Sequence, residues 1–543
     1  MRMIRATNTL YIVLLMVWAI LFGFTIPWLL SAYAENRAPL EGFKAFAIPA
    51  LVVFNALFIS YFWLNGLKDI VYVTFYYLGH RRLEEKFDGP QVWRSGERVL
   101  LVYCTANDFN AESLDLSMRQ DYANFRTVIL DDSKDPEFMR QVDEFAWSRG
   151  IPVVRREGRE GFKAGNINNF LWGRTDYDYF VLLDSDEIIP PDFITKALRY
   201  FRSYKNLGIL QATHVASRNR NSFMKTLSVG VDSHWPTYQL VKGRFGFLSL
   251  LGHGAMISRE CYQAAGGFPH VVAEDLCFSL EARMKGYRVS FAHDIICEEE
   301  YPVDYLAFKK RHSKWTQGNM EFIKQYTKRI LTSPLRWYEK LDIILFTYNL
   351  PLTVFFSLYL IMNVVVFPAL GYDLHYPAWL LVPTIMFLVA PMLNDIIWHT
   401  RSLGFLGLLK YLLSAVLLYG SMFYVSLESS FLSLFGKKAV FLVTPKDTRR
   451  IGFLESLRFN VKELLFGIVL STISWVMMGS VLPVLLLVVP AMLSPLMTMY
   501  SNYGTEEEEP PASGPTGFPG SHNLEAFAPP EPAVRDPFLL PAH

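Results

Sequence analysis

The stretch Val181-Leu-Leu-Asp-Ser-Asp-Glu187 decides the fold of this 543-residue chain. A run of apolar residues stops there at two carboxylates, Asp184 and Asp186, which are one residue apart. Because the run has no polar face, it predicts a strand buried inside a sheet. Two carboxylates at the end of such a strand can share a divalent cation. Acidic pairs also end many ordinary loops, so this motif alone leaves that alternative open.

Four short apolar runs share the region 98–326, and polar segments of helical character separate them. Apolar strands that alternate with helices are typical of a mostly parallel sheet covered on both faces, which predicts an α/β fold. Ligands of such sheets bind beyond the carboxyl ends of the strands. Asp131 and Asp132 follow the second run, just as the two aspartates above follow the third. The runs are Val99–Tyr103, Thr127–Leu130, Tyr179–Leu183 and Gly208–Leu210.

Apolar residues make up 51% of the chain and concentrate in blocks that are long enough to cross a ~30 Å hydrocarbon layer. This predicts an integral membrane protein with six spans, two before the α/β region and four after it. The segment 404–435 contains Lys410 and Glu428, so its composition leaves open whether it spans the membrane or lies at the interface, and the count of six spans applies if it lies at the interface. The predicted spans are Thr9–Leu30, Phe46–Gly66, Ile343–Leu370, Ala378–Ile397, Leu464–Gly479 and Val481–Tyr500.

Basic residues predict the orientation of these spans. Arg2 and Arg5 precede the first span and His80-Arg-Arg82 follows the second, which favours a cytosolic N-terminus and a cytosolic α/β region. With six spans, both termini are then inside. The first block could instead be a cleaved signal peptide, but its apolar core is long and a second block follows at once.

The net charge indicates which partners to expect, and the cysteine content indicates the compartment of the central region. The net charge is +1 and the chain has no long basic run, so we expect no nucleic-acid partner. The cysteines fall in the polar central region without a C-x-x-C pair, which indicates reduced thiols in a cytosolic domain. They are Cys104, Cys261, Cys277 and Cys297.

Three further motifs can be given a chemistry. Asp131-Asp132-Ser133 is suited to hold a uracil or ribose through its carboxylates, or it could simply cap a helix. Phe162-Lys-Ala-Gly-Asn-Ile-Asn168 opens a helix, so Lys163 could meet a phosphate, although such a segment is often a surface loop. Glu274-Asp275 could accept a proton from a hydroxyl, or it could complement a helix dipole.

The order and spacing of these motifs, followed by the basic-x-x-basic-Trp sequence of Arg311-His-Ser-Lys-Trp315, resemble the processive family-2 glycosyltransferases of the inner membrane. The likeness is to bacterial cellulose and curdlan (β-glucan) synthases and, more distantly, to hyaluronan and chitin synthases. It covers residues 98–446. The sharpest match is Phe441-Leu-Val-Thr-Pro-Lys446, which is similar to the F-x-V-T-x-K gating loop of bacterial cellulose synthases.

The resemblance implies a GT-A fold and a role for each matching residue. Asp275, with Glu274 beside it, would act in catalysis as the general base. The acceptor sugar would lie against the loop Leu251-Gly-His-Gly-Ala255 and Trp315. The implied acceptor residues are Trp315, His253, Gly254 and Arg311. The implied donor residues are Asp131, Asp132, Lys163, Asp184, Asp186, Lys314, Thr444 and Lys446, of which Asp184 and Asp186 would also hold Mg²⁺ or Mn²⁺.

Two positions depart from the family pattern. The family's T-E-D is Ala273-Glu-Asp275 here, which keeps both carboxylates. Its Q-x-x-R-W has Arg311 and Lys314 here, so the second position keeps its charge but loses the bidentate fork of arginine. The change at Arg311 leaves the identity of the acceptor open.

The resemblance therefore implies an inverting enzyme that polymerises a β-linked glycan, with a β-glucan made from UDP-glucose as the first expectation, and moves it across the plasma or inner membrane. Accessory secretion subunits are allowed as partners. The alternative is a single transfer from a nucleotide sugar to a polyprenyl phosphate or another lipid. The expected regions are a membrane hairpin (1–66), a linker (67–97), the GT-A domain (98–326), interface helices with two spans (327–435), the gating-loop region (436–460), two spans (461–500) and a disordered tail (501–543).

Overall fold

The computed structural model describes residues 7–35, 42–84, 96–217, 221–349, 353–372, 378–437 and 449–501. The gating-loop sequence 441–446 and the tail from residue 502 lie outside the described residues, as do the predictions made for them.

A seven-stranded sheet forms the centre of the α/β region. Its strand order is β3-β2-β1-β4-β6-β5-β7, and every pair is parallel except those made by β6, which is antiparallel to both neighbours. The four predicted strands are all present, and the α/β fold class is confirmed. The strands are β1 (Val99–Thr105), β2 (Phe125–Asp131), β3 (Val153–Val154), β4 (Tyr179–Leu183), β5 (Leu207–Ala216), β6 (Ala255–Ser258) and β7 (Arg288–Glu299).

Helices cover both faces of this sheet and extend beyond it. The helices of the α/β region and its N-terminal hairpin are α1 (Thr9–Glu35), α2 (Phe43–Leu83), α3 (Ala111–Ser117), α4 (Pro136–Arg149), α5 (Phe162–Leu171), α6 (Phe193–Ser203), α7 (Ser222–His234), α8 (Leu240–Phe245), α9 (Arg259–Ala265), α10 (Glu274–Met284) and α11 (Tyr305–Thr332). Those that follow are α12 (Trp337–Thr347), α13 (Thr353–Ile361), α14 (Phe367–Ala369), α15 (Leu381–Val389), α16 (Leu393–Leu434), α17 (Phe453–Phe459), α18 (Val461–Met478) and α19 (Leu485–Ser501).

Among the described residues, five helical stretches are long and apolar enough to cross a membrane. They are Thr9–Pro27, Phe43–His80, Ala378–Leu434, Val461–Met478 and Leu482–Ser501, and a shorter apolar helical segment covers Thr353–Ala369. The segment 404–435, which lies at the interface in the six-span prediction, belongs to the long helix α16, which breaks at Gly404, where φ is 64°. Its position relative to a membrane stays a prediction.

The buried carboxylate of Asp342 on α12 connects helices α1 and α2 to the α/β region. Its Oδ1 accepts hydrogen bonds from Tyr11 (2.5 Å) and Tyr72 (3.0 Å), and its Oδ2 accepts one from the backbone N–H of Phe247 (2.6 Å). Because Phe247 lines the cleft described below, this carboxylate ties helices α1 and α2 to the wall of the cleft.

Candidate active site

A cleft of about 520 Å³ opens at the carboxyl ends of β1, β2 and β4. The strand order explains its position, because β1 lies between β2 and β4 and the loops that follow all three converge on one edge. Most of the polar residues predicted from the sequence meet here. The charged and aromatic residues that line the cleft include Asp108, Asp132, Lys163, Asp184, Asp186, Glu274, Asp275, Glu299, Glu300, Arg311, Lys314 and Trp315.

Asp132 is held at the end of β2 by a guanidinium. Nε and Nη2 of Arg156 donate to its two carboxylate oxygens at 3.0 and 2.7 Å, and the amide of Asn166 donates to Oδ1 at 3.0 Å. The side chain of Asp132 is 10% exposed. A carboxylate fixed in this way presents a defined edge to a ligand.

Asp131 plays a different part from the one predicted for it. Its side chain is fully buried, where it accepts hydrogen bonds from Nε of Arg155 (2.7 Å) and from the backbone N–H of Ser133 (2.8 Å). It is not among the described residues that line the cleft. Since the side chains at the end of a strand alternate in direction, only one of two adjacent aspartates can face the cleft, and that one is Asp132.

Lys163 and Asp184 form an ion pair inside the cleft. The ammonium of Lys163 also donates to the carbonyl of Gly252 at 2.8 Å. Burial lowers the pKa of Lys163, but the attraction of Asp184 outweighs it, so that the pKa lies above its usual value. Burial likewise opposes the charge of Asp184, but Lys163 and His253 prevail and lower its pKa to about 2. Both groups are therefore charged at neutral pH.

Three consecutive residues of the acidic loop after β4 line the cleft: Asp184, Ser185 and Asp186. The hydroxyl of Ser185 donates to Asp108 at 2.8 Å. Oδ2 of Asp186 accepts a hydrogen bond from the backbone N–H of Glu300 at 3.1 Å. Two carboxylates one residue apart thus reach the same cleft, as the sequence predicted.

Glu274 and Asp275 begin helix α10 and line the same cleft. Oδ1 of Asp275 accepts a hydrogen bond from the backbone N–H of Leu276 at 2.7 Å. Burial raises the pKa of both carboxyls, and for Glu274 the charge of Asp275 raises it further. A buried carboxylate with a raised pKa is suited to accept a proton near neutral pH.

Helix α11 supplies the cationic and aromatic side of the cleft. The guanidinium of Arg311 lies 4.4 Å from the ring centre of Trp315, which is 43% exposed. One face of the indole is therefore paired with a cation. Lys314 lies between them in sequence and also lines the cleft, where burial lowers its pKa although Glu274 and Asp184 attract its charge.

The loop predicted to lie under an acceptor has a second set of contacts. His253 lines the cleft, but its ring contacts Glu187 and lies 3.3 Å from Glu299. Gly254 is not among the described cleft residues. A Cβ at this position would approach His214 Nε2 to 2.2 Å and Glu187 Oε1 to 2.4 Å, so Gly254 allows these side chains to pack.

Several residues of the site were missed from the sequence. Asp108 lies three residues after the end of β1, and Asp132 lies directly after the end of β2. Its position after a strand is the feature from which Asp108 could have been predicted as a site residue. Arg156, Glu299 and Glu300 carry no motif of their own, whereas Asn166 belongs to the motif Phe162–Asn168 in which only Lys163 was given a role. Thr444 and Lys446, predicted to close over the donor, lie outside the described residues.

Part of the chain is similar to known glycosyltransferases. The profile of the family described as Glycosyl transferase family group 2 matches residues 179–394. The beta-monoglucosyldiacylglycerol synthase of Synechocystis sp. (strain ATCC 27184 / PCC 6803 / Kazusa) is 26% identical over 209 residues, which cover 37% of this chain and 43% of the relative. The chain thus spans less than half the length of that curated relative.

Solved structures give more distant likenesses. The mannosyltransferase PcManGT from Pyrobaculum calidifontis, in complex with GDP-Man and Mn²⁺, is 17% identical, with a TM-score of 0.43 over 72% of this chain and 100% of that one. S. aureus TarS 1–349 is 14% identical, with a TM-score of 0.30 over 64% of this chain and 94% of that one.

The family match begins at β4, includes the acidic loop, Asp275 and Trp315, and ends on α16. It therefore contains both groups of cleft carboxylates and the aromatic helix. The part of the chain that carries most of the cleft is thus similar to the family-2 glycosyltransferases, and the same chain has apolar helices of membrane length.

Proposed function

We propose that this protein is a membrane-embedded, inverting glycosyltransferase that transfers a sugar from a nucleotide diphosphate sugar to a hydroxyl acceptor and so elongates a β-linked glycan. The observation that carries the proposal is that carboxylates from two different elements line one cleft. Asp184 and Asp186 come from the loop after β4, and Asp275, with its raised pKa, comes from the start of α10.

The donor would bind along the carboxyl ends of β1, β2 and β4. Asp132, fixed by Arg156, offers acceptor oxygens to a base or ribose. Lys163 and Lys314 offer positive charge to a diphosphate. UDP-glucose remains the first expected donor, because the motifs resemble those of the β-glucan synthases.

A divalent cation fits the acidic loop. Asp184 and Asp186 present two hard oxygen ligands on one side of the cleft, which is the donor type that Mg²⁺ and Mn²⁺ prefer. Bound there, the ion would offset the negative charge of the diphosphate as it leaves. Lys163 would then share its charge between Asp184 and the leaving group.

The transfer itself needs a base opposite the diphosphate. In the proposed step, Asp275 takes the proton of the acceptor hydroxyl as that oxygen bonds to the anomeric carbon. The bond from this carbon to the diphosphate oxygen breaks, and the nucleotide diphosphate leaves on the opposite face. One displacement of this kind inverts the anomeric configuration, which gives a β-linkage from an α-linked donor.

Trp315 supports a glycan as the acceptor. Its indole is exposed in the cleft, and Arg311 covers only one ring face, so the other face is a platform on which a sugar ring can stack. A growing chain would stay on this platform between transfers. The sequence 441–446 favours the same reading through its resemblance to a gating loop.

A lipid acceptor is the second candidate. Apolar side chains line part of the cleft next to Thr347, which is close in sequence to the apolar segment Thr353–Ala369. They are Phe247, Leu250, Val272, Ile343 and Phe346. An acyl chain could lie against this surface, and the relative named above is a lipid glycosyltransferase by its name.

We further propose that the protein is a multi-pass protein of the cell membrane, with the cleft in the cytosol. The positive-inside pattern at Arg2, Arg5 and His80-Arg-Arg82 supports this orientation.

The product decides between the two acceptors. Purified protein in lipid nanodiscs is incubated with single radiolabelled nucleotide sugars, and the product is divided into an organic-soluble fraction and an ethanol-insoluble fraction. Insoluble product that a linkage-specific β-glucanase digests supports elongation of a glycan. Label confined to a lipid carrying one sugar refutes elongation and supports the second candidate, and no transfer from any nucleotide sugar refutes both.

A further inference from the structure

Beside the catalytic cleft, two histidines and two glutamates form a closed ring of side chains. Each of the carboxylates, Glu187 and Glu299, approaches one nitrogen of His214 and one nitrogen of His253. Glu187 and His214 are essentially inaccessible, and the side chains of Glu299 and His253 are 8% and 14% exposed. The mechanism proposed above uses none of the four.

The contacts of Glu299 are too long for good hydrogen bonds. His253 Nε2 lies 3.3 Å from one of its oxygens and His214 Nδ1 lies 3.5 Å from the other, whereas N–H···O bonds are typically about 2.7–3.2 Å. Within the part of the chain that the structure describes, His214 Nδ1 makes no hydrogen bond. Neighbouring ligands of a tetrahedral ion with bonds of about 2.0–2.1 Å stand roughly 3.3 Å apart, which matches these separations.

The other nitrogen of each ring faces Glu187. His253 Nδ1 contacts one oxygen of Glu187, and His214 Nε2 lies 3.6 Å from the other. Histidines that bind a metal usually direct their second N–H to a carboxylate, which fixes the tautomer and the ring orientation. Glu187 stands in that position for His253, whereas His214 Nε2 lies nearer to the side-chain amide of Gln211, at 3.3 Å.

The orientation of His214 is fixed by a third contact. Trp235 stacks on its ring with centroids 4.5 Å apart and planes at 16°. Trp235 begins a π-helical turn, Trp235–Gln239, that joins α7 to α8. Such turns are common at functional sites.

We propose that His214 Nδ1, His253 Nε2 and the carboxylate of Glu299 bind a transition-metal ion of the zinc class, at a site separate from Asp184 and Asp186. Two imidazoles and one carboxylate form a ligand set that zinc accepts with a fourth position open. Because His253 and Glu299 line the cleft, the open position would face it and could hold a water molecule or a sugar hydroxyl.

The ion would connect three segments that shape the cleft. His214 is on β5, Glu299 ends β7, and His253 is in the loop whose Gly252 carbonyl accepts from Lys163. Charge also balances at this site. With the ion bound, both imidazoles would be neutral and would carry, together with the carboxylates of Glu187 and Glu299, a charge of about −2, which one divalent ion neutralises.

Metal analysis of the full-length protein tests the site. The protein is purified in detergent, stripped with a chelator, and titrated with Zn²⁺ or Co²⁺ in the absence of nucleotide. We expect uptake of about one ion per chain and, with Co²⁺, the visible absorption of a tetrahedral centre. X-ray absorption at the zinc edge should show imidazole ligands. No uptake by the wild type, or an ion without imidazole ligands, overturns the proposal.

Substitutions locate the ion. His214→Asn and Glu299→Gln should each lower zinc affinity at least tenfold, and Glu187→Gln should lower it by about 10–100-fold through the lost orientation of the rings. Asp186→Asn is the matched control for the other acidic site and should retain its zinc. Zinc uptake unchanged in His214→Asn, or lost in Asp186→Asn, contradicts the assignment. If His214→Asn fails to fold, the zinc-edge spectrum of the wild type decides alone.

Discussion

Arg156 donates a hydrogen bond to each carboxylate oxygen of Asp132, from Nε to Oδ1 at 3.0 Å and from Nη2 to Oδ2 at 2.7 Å. In the neighbouring pair, Arg155 donates one hydrogen bond to a single oxygen of Asp131, away from the cleft. The two pairs are adjacent in sequence but differ in what they face, and this difference provides a matched experiment.

Arg156→Lys should weaken nucleotide binding. Lysine keeps the charge but cannot make two parallel hydrogen bonds, so Asp132 would lose its fixed orientation. We expect the Kd for UDP to rise about tenfold, which corresponds to roughly 1.4 kcal/mol. Arg155→Lys, the control, should change the melting temperature without changing the Kd. Equal nucleotide affinity in both variants would remove Asp132 from the donor site.

Asp275→Asn should abolish transfer and leave nucleotide binding nearly intact, because a general base contributes to the transition state more than to the ground state. We expect turnover to fall at least about 100-fold. Turnover and UDP affinity are measured in one preparation, with Ser279→Ala on the same helix as a control. Turnover at the wild-type rate would exclude Asp275 as the base.

The pH dependence of transfer should follow the raised pKa of Asp275. The base acts only when it is deprotonated, so activity is lost as the pH falls through its pKa. Because burial raises that pKa, the acid limb of kcat/KM should lie above the ordinary aspartate range. A profile of kcat/KM from pH 4 to 9 checks this, and a limb at or below pH 4 would contradict it.

Asp184→Asn and Asp186→Asn should each weaken metal-dependent nucleotide binding. The loss of one carboxylate removes a ligand for the cation and, at position 184, leaves the buried Lys163 without its partner. Nucleotide affinity is measured with and without Mn²⁺. In the wild type, EDTA should abolish transfer, and full activity in EDTA would refute the requirement for a metal.

Gly254→Ala should destabilise the protein more than an ordinary glycine substitution. Gly254 has φ of +59°, and a Cβ there would meet His214 and Glu187. We expect a loss above roughly 3 kcal/mol from the overlap and the strained backbone. Gly266→Ala is the control, because Gly266 also has positive φ but faces open space, and it should cost about 1–2 kcal/mol. An equal loss of stability in the two variants would mean that His214 and Glu187 can move away from the added Cβ at little cost.

Much of the sheet could be predicted because its strands are continuous apolar runs. Val99–Tyr103 and Tyr179–Leu183 lie within or coincide with β1 and β4, and the carboxylates that follow them reach the cleft. The antiparallel strand β6 was missed, since Ala255–Ser258 is short and has no periodicity of its own. Its place between β4 and β5 is set by tertiary pairing.

Side-chain direction was the harder part of the site. The sequence could not separate Asp131 from Asp132, because adjacent residues at a strand end differ only in which way they point. The resemblance implied that His253 contacts the acceptor, and this stays a prediction; its ring lines the cleft and also contacts Glu187 and Glu299. The partners of these side chains are 24 to 66 residues away in the chain.

The hydrogen bonds to Asp342 determine whether the sheet domain can be produced without helices α1 and α2. The buried cluster that contains Leu182 and Ile257 of the sheet also contains Tyr11 of α1 and Trp63 and Tyr72 of α2. Excising the first 84 residues would therefore remove two hydrogen bonds from a buried carboxylate and expose apolar surface on the sheet domain. The catalytic region is thus not a separable module, and a soluble fragment made by trimming the hairpin should aggregate rather than fold.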